Sequence, residues 1–355
     1  MEPAIGLAVG RGTGPELAAA FERVLTEITG IYSTGVQIVR SERTYHSYNS
    51  LNTGVGIERI REITRDDADH YREFCRARAA LGTTAVFRTA INAQSLYLVR
   101  QALQAVKVDV ISGRGVSLLL VRDAAQGFYT GENLHVPDAL VRTMTFSRQI
   151  TEKVIAFAVE RARREWPDGI DEILMAYKFH LLDGALDAWV AESAERHGVA
   201  IALCQPDTVN RNLIERGPRP RTVVIAGNEW ADIMHVMLLD RFGSERQENR
   251  CTENVYLHPD VAGLAEYQTV HGSADDLEGR DTVNPVATIR AAAMIAERHA
   301  GCAGAVQMVE RGLGALGRHG IGTPDLGGRH STTAVVDALI DALEPEDAPV
   351  LAGEP

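Results

Sequence analysis

The sequence predicts an α/β protein built around a largely parallel sheet, and three observations carry that expectation. Short aliphatic runs alternate along the chain with longer segments whose apolar residues recur at helical spacing. The run VSLLLVR, ending at Arg122, is apolar almost throughout, as a strand covered on both faces requires. The chain also opens on an apolar run, a glycine turn and an amphipathic segment, which is the start of a strand–turn–helix unit.

Taken in order, Ala4 to Val9 is the first strand, GRGTGPE (Gly10 to Glu16) its turn, and LAAAFERVLTEITGI the helix. Val36 to Asn52 is polar and weakly periodic. Thr64 to Ala80 reads as a helix opened by Asp66 and Asp67, whose charge suits a helix start. Ala93 to Val106 is helical, and a turn at Ser112 to Gly115 leads into the strand ending at Arg122. Ile150 to Arg164 and Ala185 to His197 read as helices, with Ile173 to Tyr177, Val199 to Leu203 and Val223 to Ala226 as strands. Phe242 to Glu266 is polar without clear periodicity and is expected to form a long surface excursion. Ala291 to His299 and Ser331 to Leu343 close the chain as helices, before an acidic, Pro-rich tail.

Composition narrows the function. The chain has 355 residues, 45% hydrophobic and 24% charged, enough for two domains with real cores. Thirty-six basic against 48 acidic residues give a net charge of -12, which counts against a nucleic-acid or anionic-membrane surface as the main business. No apolar run approaches the roughly 18 residues that span a bilayer. No basic segment precedes a hydrophobic one at the N-terminus, so no secretory signal is expected. Cys75, Cys204, Cys251 and Cys302 lack CxxC spacing, which predicts a cytoplasmic, thiol-containing enzyme without structural zinc.

The turn at Gly10 to Glu16 has no Lys-Ser/Thr after it and no GxGxxG spacing, so the P-loop mechanism is absent. A tight structural turn and a ligand-contacting loop both remain open there. Denser signals lie in VHGSADDLEGRDTVNP (Val270 to Pro285) and TPDLGGRHSTT (Thr323 to Thr333). Loops of this composition cradle nucleotides with backbone N–H groups and aim an acidic residue at a ribose.

These segments carry a resemblance. HGSADDLEGRDTVNPVATIRAAAMI, GRGTGPEL, RDAAQGFYTGEN, NEWADIM and TPDLGG followed by STT resemble, in order, motifs of the isocitrate and isopropylmalate dehydrogenases, the NAD-dependent β-decarboxylating dehydrogenase family. The resemblance implies a two-domain fold of the isopropylmalate dehydrogenase type, with an active site in the cleft between domains. Residues 1–98 plus 237–355 would form the NAD-binding domain, and 99–236 the central substrate, metal and dimerisation domain. It also implies a homodimer joined by an intersubunit clasp over Gly131 to Arg148.

Residue by residue, the resemblance makes Arg100 and Arg122 substrate-carboxylate ligands, a task suited to a planar bidentate donor. Tyr129 would supply a proton to the enolate carbon and also touch substrate. Lys178 would act in hydroxyl deprotonation and Asp207 in catalysis, both reaching in from the partner subunit. Asp207 and Asp232 would hold Mg²⁺ or Mn²⁺. Thr83 and Thr84 would lie near the nicotinamide ribose, and His271, Gly272, Ser273, Ala274, Asp276, Asn284 and Asp325 would line the cofactor site. Asp276 in place of the Lys-Tyr pair of NADP-dependent relatives favours NAD. The implied chemistry is hydride loss from a 2-hydroxy acid to NAD, then departure of CO₂ from a keto acid polarised by a hard cation.

Departures from the family pattern cluster on the substrate side. Val236 stands where a second helix aspartate is usual, and Arg11 where the first turn has an aspartate. A second substrate arginine falls at Val110, with Lys107 as a possible substitute. Gln94 and Leu96 replace a serine and asparagine that read the substrate's variable group, His180 replaces an asparagine, and Gln268 a glutamate. The expected activity is therefore oxidative decarboxylation of a non-standard 3-substituted malate in a specialised biosynthetic pathway. A tartrate- or malate-like dehydrogenase without obligatory decarboxylation, and a non-catalytic NAD-binding regulatory paralogue, are the alternatives. Plainer readings exist too: Tyr129 as a packed aromatic, Asp232 as a helix cap and His271 as a loop histidine, while His235, next to Val236, points to another helix face and so is not expected to replace the missing ligand.

Overall fold

The structure of the chain, a computed structural model, describes residues 2–52, 56–113, 115–270 and 272–344. His271 and the tail past Glu344, two sequence expectations, lie outside the described residues.

The strands are β1 (Ala4–Gly10), β2 (Gln37–Tyr45), β3 (Ala85–Arg88), β4 (Ala105–Gly113), β5 (Val116–Asp123), β6 (Glu132–Val136), β7 (Ala139–Thr143), β8 (Glu172–Ala176), β9 (Ala202–Cys204), β10 (Arg221–Gly227), β11 (Cys251–Tyr256) and β12 (Ala265–Thr269). The helices are α1 (Gly14–Ile31), α2 (Tyr48–Asn52), α3 (Ile57–Ala80), α4 (Ala93–Leu103), α5 (Arg148–Glu165), α6 (Ala185–His197), α7 (Pro206–Arg216), α8 (Asn228–Phe242), α9 (Val286–His299), α10 (Ala305–Arg318) and α11 (Thr332–Asp341). Among the described residues ten strands form one sheet in the order β2-β1-β3-β12-β11-β4-β5-β10-β8-β9. Pairing is parallel at both ends and antiparallel only where β12, β11, β4 and β5 meet. The mixed, largely parallel sheet follows from the α/β alternation read in the sequence.

Helices cover both faces at each end. Around β1, β3 and β12, the apolar sides of α1, α9, α10 and α11 form one core, and α3 and α4 another on the opposite face. Around β5, β8 and β10, α5 and α6 pack on one face and α8 with α7 on the other. This double cover explains why β5 and β10 are continuous apolar runs. The hairpin β6–β7 stands apart, with Leu134, Val136, Leu140 and Val141 all exposed.

Several boundaries differ from expectation. Helix α3 begins at Ile57 rather than Thr64, and Asp67 does not open it. Its buried carboxylate instead accepts the His46 backbone N–H at 2.9 Å and pairs with Arg43 at 3.2 Å. Helix α4 stops at Leu103 because Gln104 turns left-handed (φ 54, ψ 60), releasing the chain into β4 at Ala105. The polar stretch 36–52 contains edge strand β2, whose half-exposed positions suit a strand with one neighbour.

The expected surface excursion from Phe242 to Glu266 is the largest correction. It contains β11 and the start of β12, central strands whose residues are almost all buried. Their polar side chains are neutralised inside the fold: Glu253 pairs with Arg161 at 3.1 Å and Arg298 at 2.7 Å. The domain boundaries expected at 98/99 and 236/237 fall inside α4 and α8, two helices that run unbroken through them.

Candidate active site

Because β1, β3 and β12 are parallel, their C-terminal ends share one edge of the sheet, and the loops that leave them meet there. The glycine turn after β1 is one such loop. Gly12 has φ +72, and a Cβ on it would sit 2.5 Å from the Ser273 carbonyl oxygen. Thr13 donates to that same oxygen from its backbone N–H and its hydroxyl, each at 2.9 Å. The turn therefore buttresses the loop after β12 through glycine's small size.

That second loop carries most of the cofactor expectations. Gly272 reaches the mouth of the main cleft, and Ala274 adopts a left-handed backbone (φ 43, ψ 52). Ser273 donates to Asp275, and Ser47 donates to the same carboxylate at 2.6 Å. Hydrogen bonds hold that carboxyl below its usual range, against the opposing pull of burial. Asp276, the next residue, is exposed and makes no hydrogen bond among the described residues, so it is free to accept one. Asn284 donates to Asp325 at 2.9 Å, which joins the two loops singled out in the sequence.

Thr83 and Thr84 are the exception, and here the structure corrects the sequence. They precede β3 and so lie at the N-terminal edge of the parallel strands, the edge opposite the cofactor loop. Thr84 hydrogen-bonds His299 at 2.9 Å instead. At the correct edge stands Thr89, whose hydroxyl accepts the Gly10 N–H at 2.8 Å.

Between the two halves of the sheet lies a cleft of about 940 Å³, lined by Arg100, Lys107, Arg122 and Asp232. Helix α4 supplies Arg100, while Lys107 and Arg122 face each other across β4 and β5. Arg122 donates to Asn228 at 2.8 Å and is ion-paired with Asp232. Among the described residues the Arg100 side chain hydrogen-bonds only Gln268, at 3.3 Å, and burial followed by the charge of Arg88 lowers its pKa to about 10. Lys107 has no hydrogen bond among the described residues, and burial lowers its pKa. Arg100 and Lys107, half-buried and without an ion pair among the described residues, make this cleft a receptor for anions.

Tyr129 stacks on Tyr97 with ring centroids 4.9 Å apart and lies under the Arg122 guanidinium at 5.5 Å. Burial, followed by the charge of Asp232, raises its pKa to about 12, so it is held as a proton donor. Gln94 does not line the main cleft; with Tyr129 it lines an adjoining hollow of about 560 Å³, which meets the cleft at Tyr97. Lys178 and Asp207 form their own pair at 2.8 Å, and neither lines the cleft. Asp232 is no helix cap, since α8 begins at Asn228. His235 is buried with its Nε2 3.5 Å from Asp109, which is its charged neighbour.

The carboxylates of Asp207 and Asp232 thus have different partners within one chain. Among the described residues no group of three His, Cys, Asp or Glu side chains could hold a metal. Asp232 faces the cleft with Val236 exposed one turn on, so one hard-oxygen donor of this kind stands on that stretch of α8. Gln268, read in the sequence as a substrate-side departure, lines the same cleft, and so does Arg88, which the sequence reading missed. An isolated arginine at a strand end gives no signal until its neighbours are known.

Comparison with known proteins gives the family and the fold. Residues 4–339 match the family model described as isocitrate/isopropylmalate dehydrogenase. The chain is 26% identical to a 3-isopropylmalate dehydrogenase of Shouchella clausii, over 97% of this chain and 98% of the other. It is also 26% identical to an isocitrate/homoisocitrate dehydrogenase of Thermus thermophilus, covering 96% and 98%. The solved structure of isocitrate dehydrogenase from Methylococcus capsulatus superposes with a TM-score of 0.68 at 20% identity, covering 96% and 99%. With nearly the whole chain matched, this protein belongs to the isocitrate/isopropylmalate dehydrogenase family.

Proposed function

We propose that the chain is a cytoplasmic, NAD-dependent enzyme that oxidatively decarboxylates a 3-substituted malate-type 2-hydroxy acid, and works as a homodimer. The observation that carries this reading is the convergence of Arg100, Lys107, Arg122 and Asp232 on one cleft whose mouth is Gly272 of the cofactor loop. Cations hold the two carboxylates of the acid, and the loop at Gly272 to Asp276 brings NAD to the same opening. Free Asp276 accepts from the ribose hydroxyls and repels the extra phosphate of NADP.

Asp232, with Asp207 of a second copy, would hold Mg²⁺ or Mn²⁺, which supplies polarisation of the substrate's oxygen. Lys178, beside Asp207, takes the hydroxyl proton as hydride leaves, and Tyr129 returns a proton to carbon after CO₂ departs. The exposed apolar hairpin β6–β7 is the clasp between subunits, since Leu134, Val136, Leu140 and Val141 have no cover in one chain. The lobes hinge at Gln104 and at Gly243, the two residues that end α4 and α8.

Loss of the second helix carboxylate at Val236 favours one alternative, hydride transfer without obligatory decarboxylation. Reduced-nicotinamide absorbance with NAD or NADP tests both, using isocitrate, 3-isopropylmalate, malate, tartrate and phosphonate-bearing malates, each with Mn²⁺ or EDTA and CO₂ detection. NADH with CO₂, lost in EDTA, supports the decarboxylase. NADH alone supports the simple dehydrogenase. Silence with NAD still bound favours a non-catalytic paralogue.

A further inference from the structure

We infer that Arg88 supplies a second substrate guanidinium beside Arg100, and that Glu266 is the residue that positions it. The inference rests on the malate-type reading above and adds a ligand for one of the acid's carboxylates.

Arg88 ends β3, is 3% exposed and lines the main cleft. Its Nε donates to Glu266 at 2.8 Å and its Nη1 to the Thr89 carbonyl at 3.3 Å. Its Nη2 is buried and has no partner among the described residues. The neighbouring Arg100 also has a buried, unpartnered nitrogen, its Nε. Buried donors are nearly always satisfied, and unpartnered nitrogens on two arginines that line one cleft fit an absent acceptor there. A carboxylate, with two oxygens and a full charge, is the acceptor that guanidinium groups fit.

The support beneath Arg88 is built rather than incidental. Glu266 accepts from Tyr71 and Tyr256, each at 2.6 Å, and from Asn254 at 2.9 Å, besides Arg88. With these donors its carboxylate is saturated and cannot swing toward the cleft. The Nε contact therefore fixes the guanidinium plane and leaves Nη2 as its free donor. Glu266 pairs with Arg88 and Asp232 with Arg122, while Arg100 has no ion pair among the described residues.

The test uses the full chain saturated with NADH and Mg²⁺, titrated calorimetrically with D-malate and with racemic 3-isopropylmalate. Arg88→Lys keeps a cation opposite Glu266 but removes the Nη2 donor. The double change Arg88→Met with Glu266→Gln removes both charges together and strands no buried carboxylate. The expected result is unchanged NADH affinity, a retained unfolding midpoint in the double variant, and about ten- to hundredfold weaker dicarboxylate binding in both. Wild-type dicarboxylate affinity in Arg88→Lys, or in a folded double variant should Arg88→Lys fail to fold, overturns the inference and leaves the proposed function standing. A wild-type chain that binds neither acid overturns the malate-type reading, and this inference with it.

Discussion

Lys178 donates to Asp207 across 2.8 Å at an edge of the chain, and neither residue lines the cleft that holds Arg100, Arg122 and Asp232. If both act in catalysis, they act in another copy's cleft. Co-expressing Arg122→Met with Lys178→Met should then restore activity that each variant lacks alone. Random pairing places one intact site in half the dimers, so about a quarter of wild-type turnover is expected. Activity that stays at the level of the single variants would mean each chain works alone.

Tyr129 touches both Tyr97 and Arg122, which lets its hydroxyl be tested apart from its ring. Tyr129→Phe keeps the stack and removes the proton. The complete reaction should slow about a hundredfold or more, while NAD affinity stays put. Single-turnover absorbance read beside CO₂ release checks this, and equal rates in the variant would reduce Tyr129 to packing.

Asp276 is exposed and unbonded beside the structural Asp275, so its removal should leave the loop standing. Asp276→Ser should lower kcat/KM for NAD by about tenfold and narrow its preference over NADP. Steady-state kinetics with both cofactors reads the change. An unchanged cofactor ratio would place the ribose elsewhere.

His299 hydrogen-bonds Tyr267 and Thr84, each at 2.9 Å, and burial lowers its pKa to about 4. The unfolded ring takes its proton near 6.5, so between these values the unfolded chain binds more protons. Stability contributed by this histidine is thus present above that window and falls as pH drops through it. His299→Gln removes the effect, and the Tm gap between wild type and variant should shrink from pH 7 to pH 4. Asp123, whose burial raises its pKa to about 6, titrates with opposite sign but cancels in that difference. Calorimetric scans showing a constant gap would contradict the assignment.

Much of the fold was legible because it rests on local chemistry. Residues of β5 and β10 are apolar since helices cover both faces, and α1 shows its buried face at helical spacing. The cofactor loop was legible as a dense run of glycine and aspartate. Strands β11 and β12 were not, because Glu253, Asn254 and Glu266 read as surface residues until Arg161, Arg298 and Arg88 arrive from distant positions. Burial of a charge is set by partners far along the chain, and no local window contains them.

The sequence by itself determined the α/β class, the family, and Arg100, Lys107, Arg122 and Asp232 as candidates for the substrate site. Only the tertiary structure decided which of them share it. Parallel strands place all their C-terminal ends on one edge, which brought Arg88 in and sent Thr83 and Thr84 to the far side. Pairing across β4 and β5 set Lys107 opposite Arg122. Strand order and register are long-range relations, and so the division of labour within the site is a property of the sheet rather than of any motif.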